Sequence, residues 1–112
     1  MIILAIESSC DETAVALVRD GREVLTDQVF SQADLHAIYG GVVPEIASRA
    51  HVDLLTPVIA EALVEGGVDG PDLHAVAATV GPGLVGALLV GVSTAKALAL
   101  VRGLPAVGVD HM

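Results

Sequence analysis

The hydrophobic positions at the start of the chain predict three strands joined by tight turns. Residues 2–6 form a continuous and largely β-branched run, which is typical of a strand buried on both faces. Residues 13–19 and 23–31 are also strand-like, and the Asp20-Gly21 pair between them is a strong hairpin signal. Residues 34–41, which contain paired glycines, are predicted to form a loop. Two successive hairpins predict a three-stranded antiparallel meander.

A long helix is predicted next. Pro44 and Glu45 suit the first turn of a helix, and apolar residues recur at helical spacing over residues 47–63. Pro57 removes a backbone donor within this pattern, so we expect the helix to kink or to split into two helices. Gly66-Gly67 predicts where the helix ends.

The remaining residues predict two more strands around a second helix. Residues 73–80 and 105–109 are the strands, and residues 84–101 form a helix that is apolar nearly all round. The element order β-β-β-α-β-α-β predicts a five-stranded mixed sheet, whose later strands pair in parallel through right-handed crossovers. We expect the second helix to be covered on most of its sides.

This apolar helix also has about the length that a bilayer requires, which is roughly 20 residues. It contains Ser93, Thr94 and Lys96, and a central lysine costs about 2.5 to 3.5 kcal/mol on membrane insertion. We therefore interpret it as a buried helix, and we expect no membrane partner. We also expect no secretory signal, because the N-terminal apolar run is short and is followed by acidic residues.

The composition suits one domain with an aliphatic core. Of 112 residues, 54% are hydrophobic but only 2% are aromatic, so Val, Leu, Ile and Ala must fill the interior. Such a core is typical of a parallel sheet with closely packed helices. The single cysteine excludes an internal disulfide and favours a reducing, cytoplasmic location. The net charge of −9 argues against a broad nucleic-acid interface, so an RNA contact needs a local basic site or another part of the protein.

The most concentrated chemistry lies in residues 7–13, which we call the first turn. This turn contains two serines, a cysteine, a threonine and three carboxylates between two apolar runs. Its backbone N–H groups and hydroxyls suit a phosphate. Asp11 and Glu12 repel a phosphate directly, but they suit a divalent cation or its waters beside one. An ordinary polar hairpin turn explains the same residues equally well.

Two other features have weaker functional interpretations. Gly81-Pro82-Gly83 precedes a helix N-terminus that suits an anion, but it lacks the lysine and the spacing of a phosphate-binding P-loop. Ordinary turn chemistry is the favoured interpretation there. Cys10 lies among acids, which raise a thiol pKa, and no His or Asn is placed by sequence to activate it as a nucleophile.

The histidines are too scattered to indicate a metal site by spacing. His51 lies on the apolar stripe of the long helix, so we interpret it as a satisfied, partly buried histidine. His74 lies beside Asp72 at the start of a strand, and we expect it to be solvated. His111 directly follows a buried strand, at the carboxyl end where ligands bind in open α/β sheets. On spacing alone it is a candidate ligand.

Three long stretches resemble the signatures of one family, and they occur in the family's order. They are residues 7–13, 36–51 and 81–91, and the similarity runs from Ile3 to Met112. The family is the tRNA adenosine threonylcarbamoyltransferases, formerly called O-sialoglycoprotein endopeptidases or glycoproteases. The resemblance implies a sugar kinase–actin type, ribonuclease H-like α/β fold, with two related lobes around a nucleotide cleft.

The resemblance also implies the reaction and the residues that take part in it. Members transfer a threonylcarbamoyl group from threonylcarbamoyl-adenylate to N6 of the adenosine next to the anticodon in certain tRNAs. Asp11 and Glu12 then become the catalytic candidates, and Ser9, Cys10 and Asp11 the candidates on the phosphate or nucleotide side.

A divalent metal is implied as well, iron or zinc at the threonylcarbamoyl end, or magnesium with the nucleotide. His111 matches the first of two family histidines that lie four residues apart, so the metal site in this chain is expected to be incomplete. Because members are about three times as long, residues 1–112 are expected to be the N-terminal lobe, without the second lobe and inactive alone.

The resemblance also leaves two rival functions open. One is a metalloendopeptidase, although the chain has no His-Glu-x-x-His and no Glu close to His111. The other is a non-catalytic scaffold, since the family has a paralogous subunit that pairs with the enzyme. The complete first turn and His111 favour the enzyme. Residues 44–65 and 84–101 are the expected pairing helices, for that subunit or for a homodimer.

Overall fold

A five-stranded mixed sheet in the order β3-β2-β1-β4-β5 organises the chain, in a computed structural model that describes residues 1–110. The strands are β1 Ile2–Glu7, β2 Glu12–Arg19, β3 Glu23–Ser31, β4 Ala75–Gly81 and β5 Ala106–Asp110. β2 pairs antiparallel with both β1 and β3, which confirms the predicted meander. β4 pairs in parallel with both β1 and β5, which confirms the predicted parallel half of the sheet.

Within residues 1–110 three α-helices accompany the sheet, and a 3₁₀ turn at Gly70–Asp72 precedes β4. The helices are α1 Ala33–Ala37, α2 Pro44–Gly66 and α3 Val85–Arg102. The long helices α2 and α3 end at Gly67 and Gly103, whose φ angles of 67° and 68° are left-handed and favour glycine. The short helix α1 was predicted as loop, because it is a single turn without apolar periodicity.

Pro57 was expected to kink or to split the long helix, and the split was wrong, since α2 continues through Pro57 and is 23 residues long. Pro57 lies on the exposed side of α2. The carbonyl of Asp53, which loses its usual partner four residues later, is on the same exposed side and is open to hydration. The helix therefore tolerates a proline that a buried position would not.

The core lies between one face of the sheet and the inner sides of α2 and α3. Leu4 and Ile6 of β1 alternate into it, and so do Val15 and Leu17 of β2. Each of these side chains is buried because alternate residues of a strand point to the same face. The helices contribute Leu55, Val58, Ile59 and Ala62 from α2, and Ala95 and Ala99 from α3.

Helix α3 is much less covered than the sequence led us to expect. Its buried residues are four small ones at helical spacing, Ala87, Gly91, Ala95 and Ala99. They bring its backbone close to the sheet, while several of its large apolar side chains point outward, and Val85 is 82% exposed and Leu100 84% exposed. By length and composition alone α3 passes as a membrane span, and only 22% of it is buried in this chain.

The other face of the sheet forms a shallow apolar cavity of about 260 Å³. Every residue that lines it belongs to a strand, and most are small, such as Ala5, Ala14, Ala16 and Ala77. Val109 of β5 also contributes. Apolar sheet faces of this kind are normally covered, so this face is a candidate contact surface.

We predict that residues 1–112 self-associate through this open sheet face, because association removes its apolar surface from water. Sedimentation equilibrium over a range of concentrations measures the effect. Ala16→Glu places a charge on the face and should shift the chain toward monomer, whereas Ala33→Glu on the exposed surface of α1 should not. A parent chain that stays monomeric at high concentration would contradict the prediction.

Candidate functional site

The first turn is anchored to the body of the protein by three consecutive carbonyl groups. The Ser9 carbonyl accepts a hydrogen bond of 2.8 Å from the N–H of Leu84, just before α3. The Cys10 carbonyl accepts one of 2.8 Å from Nε2 of His51 on α2. The Asp11 carbonyl accepts one of 2.8 Å from the N–H of Gln32, at the end of β3. Three different elements therefore hold three adjacent peptide groups.

These anchors determine where the neighbouring N–H groups point. In a trans peptide the N–H lies opposite the carbonyl, and the only cis peptide among the described residues is Gly81-Pro82. The N–H groups of Cys10, Asp11 and Glu12 consequently point away from the elements that bind the three carbonyls. Successive N–H groups oriented in this way are a common means of binding an anion.

Two of the three hydroxyls of the first turn, those of Ser8 and Thr13, serve the fold instead. Ser8 is buried, and its hydroxyl donates to the carbonyl of Ala87 over 2.8 Å. Thr13 is buried as well, and its hydroxyl pairs with Nδ1 of His51 over 2.7 Å. Both hydroxyls are thus engaged inside the protein. The expectation from the sequence that they donate to a ligand was wrong.

Two glycines allow the third signature to pack directly on the first turn. A Cβ at Gly83 would clash with the backbone of Ser9, and a Cβ at Gly91 would clash with the hydroxyl of Ser8. The close approach of α3 to the first turn therefore requires glycine at both positions. This contact explains physically why residues 7–13 and 81–91 belong to one site.

Glu7 is a carboxylate of the site that sequence reasoning did not single out. Its Oε1 accepts from the N–H of Ser9, and its Oε2 accepts from the hydroxyl of Thr79 on β4, each over 2.7 Å. Asp110 ends β5 at the same edge, in register with Gly81. The signal that could have identified Glu7 is its place at the carboxyl end of a central parallel strand.

The two predicted catalytic carboxylates are differently exposed. Asp11 is half-buried and Glu12 is exposed at the start of β2. Cys10, which precedes them in the chain, is half-buried too. Burial, and then the negative charge of Asp11, raises the pKa of its thiol. A raised pKa leaves less thiolate at neutral pH, so Cys10 is a poor nucleophile, as its acidic surroundings predicted.

A second buried histidine lies beside the site. Nδ1 of His36 accepts from the N–H of Val43 over 3.1 Å, so its Nε2 must carry the proton and donate to Oε1 of Gln32 over 2.8 Å. The amide Nε2 of Gln32 is buried and finds no acceptor among the described residues. An unsatisfied buried donor costs about 1 to 3 kcal/mol.

Residues 1–110 contain no group of three His, Cys, Asp or Glu side chains placed to hold a metal ion. His74, at the opposite end of β1, is exposed and accepts a hydrogen bond from the N–H of Ile2 over 2.9 Å. His111, the predicted metal ligand, lies outside the described residues. The implied iron or zinc site is therefore not formed by the part of the chain that the structure describes.

Comparison with known proteins identifies the family. A protein-family model described as tRNA N6-adenosine threonylcarbamoyltransferase matches residues 23–112. The chain belongs to this family. Curated relatives with that name are 61% identical over 112 residues in Pelobacter propionicus and 64% identical over 111 residues in Anaeromyxobacter dehalogenans. These matches cover 100% and 98% of this chain but 33% of each relative, so the chain spans about a third of their length.

Solved structures support the fold. YeaZ from Pseudomonas aeruginosa matches 97% of this chain and 43% of its own, with a TM-score of 0.75 and 25% identity. RuvC from T. thermophilus, in complex with a Holliday junction substrate, matches 100% of this chain and 66% of its own, with a TM-score of 0.60 and 14% identity. The chain has the actin and ribonuclease H-like fold that the resemblance implied.

We predict that Gly91→Ala destabilises the chain by about 1 to 3 kcal/mol through overpacking against Ser8, although alanine is the better helix former. Urea unfolding measures the change. In the Ser8→Ala/Gly91→Ala double variant the clashing hydroxyl is gone, so the double variant should be more stable than the sum of the single effects predicts. Strict additivity, or a stabilising Gly91→Ala, would contradict the packing described above.

Proposed function

We propose that the protein that contains this chain is a tRNA N6-adenosine threonylcarbamoyltransferase. Its family membership over residues 23–112 supports this function, and so do curated relatives of that name at about 60% identity. The structural observation that carries the proposal is the first turn, which presents backbone N–H groups and two carboxylates at the carboxyl edge of the sheet.

We further propose that residues 1–112 form the N-terminal lobe of a two-lobed protein with a nucleotide cleft. The chain spans about a third of its relatives' length, which suits a single lobe. The lobe contributes one wall of the cleft, the edge at which β1, β4 and β5 end. In open α/β sheets this edge is where ligands bind. We expect the lobe alone to be inactive.

In the proposed reaction, the N6 amine of the tRNA adenosine attacks the carbamoyl carbon of threonylcarbamoyl-adenylate. A carbon–nitrogen bond forms, the bond from that carbon to the phosphate oxygen breaks, and AMP leaves. The nitrogen must also lose a proton. Asp11 is the candidate to accept it or to orient the amine, because its half-buried carboxylate is held by an anchored backbone, and exposed Glu12 is the alternative.

The outward N–H groups of the first turn suit the phosphate of the adenylate. Asp11 and Glu12 repel that phosphate, and a divalent cation, when bound beside them, would offset the repulsion. The described residues do not fit the iron or zinc site by themselves. The steps given above accordingly rely on the chain's own groups.

Partner binding is proposed for the outer surface of α2 and α3. Val52 on α2 and Leu89 on α3 are each 61% exposed, and with Leu55 and Val90 they line a largely apolar groove between the two helices. We propose that a paralogous subunit, or a second copy, covers it. YeaZ has the same fold, so such a subunit would present similar helices. A tRNA-modifying protein of this kind is expected in the cytoplasm.

Asp11→Asn in the full-length protein should lower kcat for threonylcarbamoyl transfer by about 100-fold or more, the usual contribution of a general acid or base. A transfer assay with pre-formed threonylcarbamoyl-adenylate and tRNA measures it. Asp53→Asn, on the exposed side of α2, is the matched control and should retain activity. Retained activity in Asp11→Asn would refute the role of Asp11, and turnover by residues 1–112 alone would refute the single-lobe proposal.

Leu89→Arg should weaken binding of the paralogous subunit, because it places a charge in the apolar groove. Isothermal titration calorimetry with the two purified proteins measures the change in Kd. Ala33→Glu, remote from the groove on α1, serves as the control. An unchanged affinity for Leu89→Arg would place the interface elsewhere.

A further inference from the structure

We propose that His51 is a positioning residue, which holds the peptide between Cys10 and Asp11 in the orientation that the site needs. The effect of His51 on kcat depends on the function proposed above, whereas its effect on the geometry of the first turn does not. His51 is the last residue of the second stretch, 36–51, and its two hydrogen bonds connect it to the first turn.

The tautomer of the neutral His51 ring follows from its partners. The Cys10 carbonyl can only accept, so Nε2, 2.8 Å away, must carry a proton. In the neutral ring Nδ1 is then an acceptor, and it receives the hydroxyl proton of Thr13 over 2.7 Å. The side chain is completely buried, at 0% exposure. Both ring nitrogens are satisfied, and one tautomer is selected.

His51 bridges the two arms of the first turn. Cys10 lies at its tip and Thr13 lies at the start of β2, and both are bound to one rigid ring on α2. The separation along the chain is 38 residues for Thr13 and 41 for Cys10. These contacts therefore connect the site directly to the longest helix of the lobe.

The Cys10 anchor differs from the other two carbonyl anchors in its chemistry. Ser9 and Asp11 are held by backbone N–H groups, from Leu84 and Gln32. The Cys10 carbonyl is held by a side chain, that of His51. The N–H of Asp11 belongs to the same peptide group as this carbonyl, so its direction depends on His51. Removal of the ring takes away the hydrogen bond that holds the Cys10 carbonyl, so we expect this peptide and the attached Asp11 to reorient between the two remaining anchors, the carbonyls of Ser9 and Asp11.

His51 affects both the stability and the geometry of the first turn. An apolar residue of similar size at this fully buried position would avoid the cost of desolvating two ring nitrogens, but it would leave the buried Thr13 hydroxyl and the Cys10 carbonyl without their partner. Two hydrogen bonds to a turn contribute modestly to net stability. Their specific effect is on geometry, because they fix the tip and the base of the turn at once.

The structural test uses long-range proton–nitrogen NMR on residues 1–112. We expect a neutral His51 with the proton on Nε2. Thr13→Val should shift the Nδ1 resonance and leave the Nε2 proton in place. His51→Leu should shift the Asp11 amide resonance and speed its exchange with solvent. An unprotonated Nε2, or an Asp11 amide that does not respond to His51→Leu, would overturn the proposal.

The kinetic test uses the full-length protein and reports kcat per folded molecule, with the folded fraction measured by circular dichroism. His51→Leu should lower kcat by about 100-fold, as expected for a misplaced reacting group, while KM for tRNA stays near the parent value. His51→Gln keeps a donor toward Cys10 and should recover part of the loss. His74→Gln, a histidine change at the opposite end of β1, is the matched control and should behave like the parent.

The outcomes separate the two proposals. If kcat per folded molecule is unchanged in His51→Leu, the residue is structural only and the inference fails. If His51→Gln recovers nothing although it folds, the donor to Cys10 is not what matters and the inference also fails. If the parent protein has no transfer activity, the proposed function fails, and the NMR response of Asp11 still decides whether His51 positions the turn.

Discussion

The pairing of β1 with strands on both of its edges is the constraint on which the rest of the structure depends. β1 is antiparallel to β2 and parallel to β4, so it is the strand where the two halves of the mixed sheet meet. Its continuous aliphatic run allows it to be central. Because β1, β4 and β5 run in the same direction, their carboxyl ends lie at one edge, which brings Glu7 close to Thr79 of β4.

The site at that edge is built by turning backbone carbonyls inward and by engaging two of the three hydroxyls of the first turn inside the protein. Ser8 and Thr13 bind α3 and His51, respectively, and three carbonyls bind three separate elements. The candidate groups for a ligand include backbone N–H groups and the carboxylates of Asp11 and Glu12. Gly83 before α3 and Gly91 within it contribute to the same arrangement, since a side chain at either position would displace the turn.

Local rules made most of the fold predictable from the sequence, and long-range contacts account for what was missed. The hairpin at Asp20-Gly21 and the cap at Gly67 are decided by backbone φ angles, which residue type constrains directly. The exposure of α3 was misjudged because an all-round apolar pattern does not reveal which side a neighbour covers. The wrong expectation at Pro57 has the same origin, because the cost of a proline depends on whether its side of the helix is buried.

Within the site, the signatures identified which segments matter but not how they are joined. The expectation that His51 is satisfied was confirmed, yet its partners Cys10 and Thr13 are dozens of residues away and no periodicity points to them. Glu7 was read as part of a motif, and its bond to Thr79 depends on the register between β1 and β4. Contacts of this kind follow from the tertiary structure alone.

The central position of β1 also has a kinetic consequence. The meander β1-β2-β3 uses local contacts and can form early, but the parallel edge of β1 is completed only when Ala75 reaches Ile3, 72 residues away. Closing a loop of that length costs about 4 kcal/mol in chain entropy, before the new contacts compensate for it. The formation of the carboxyl edge, and of the site on it, is therefore expected to be a late step in folding.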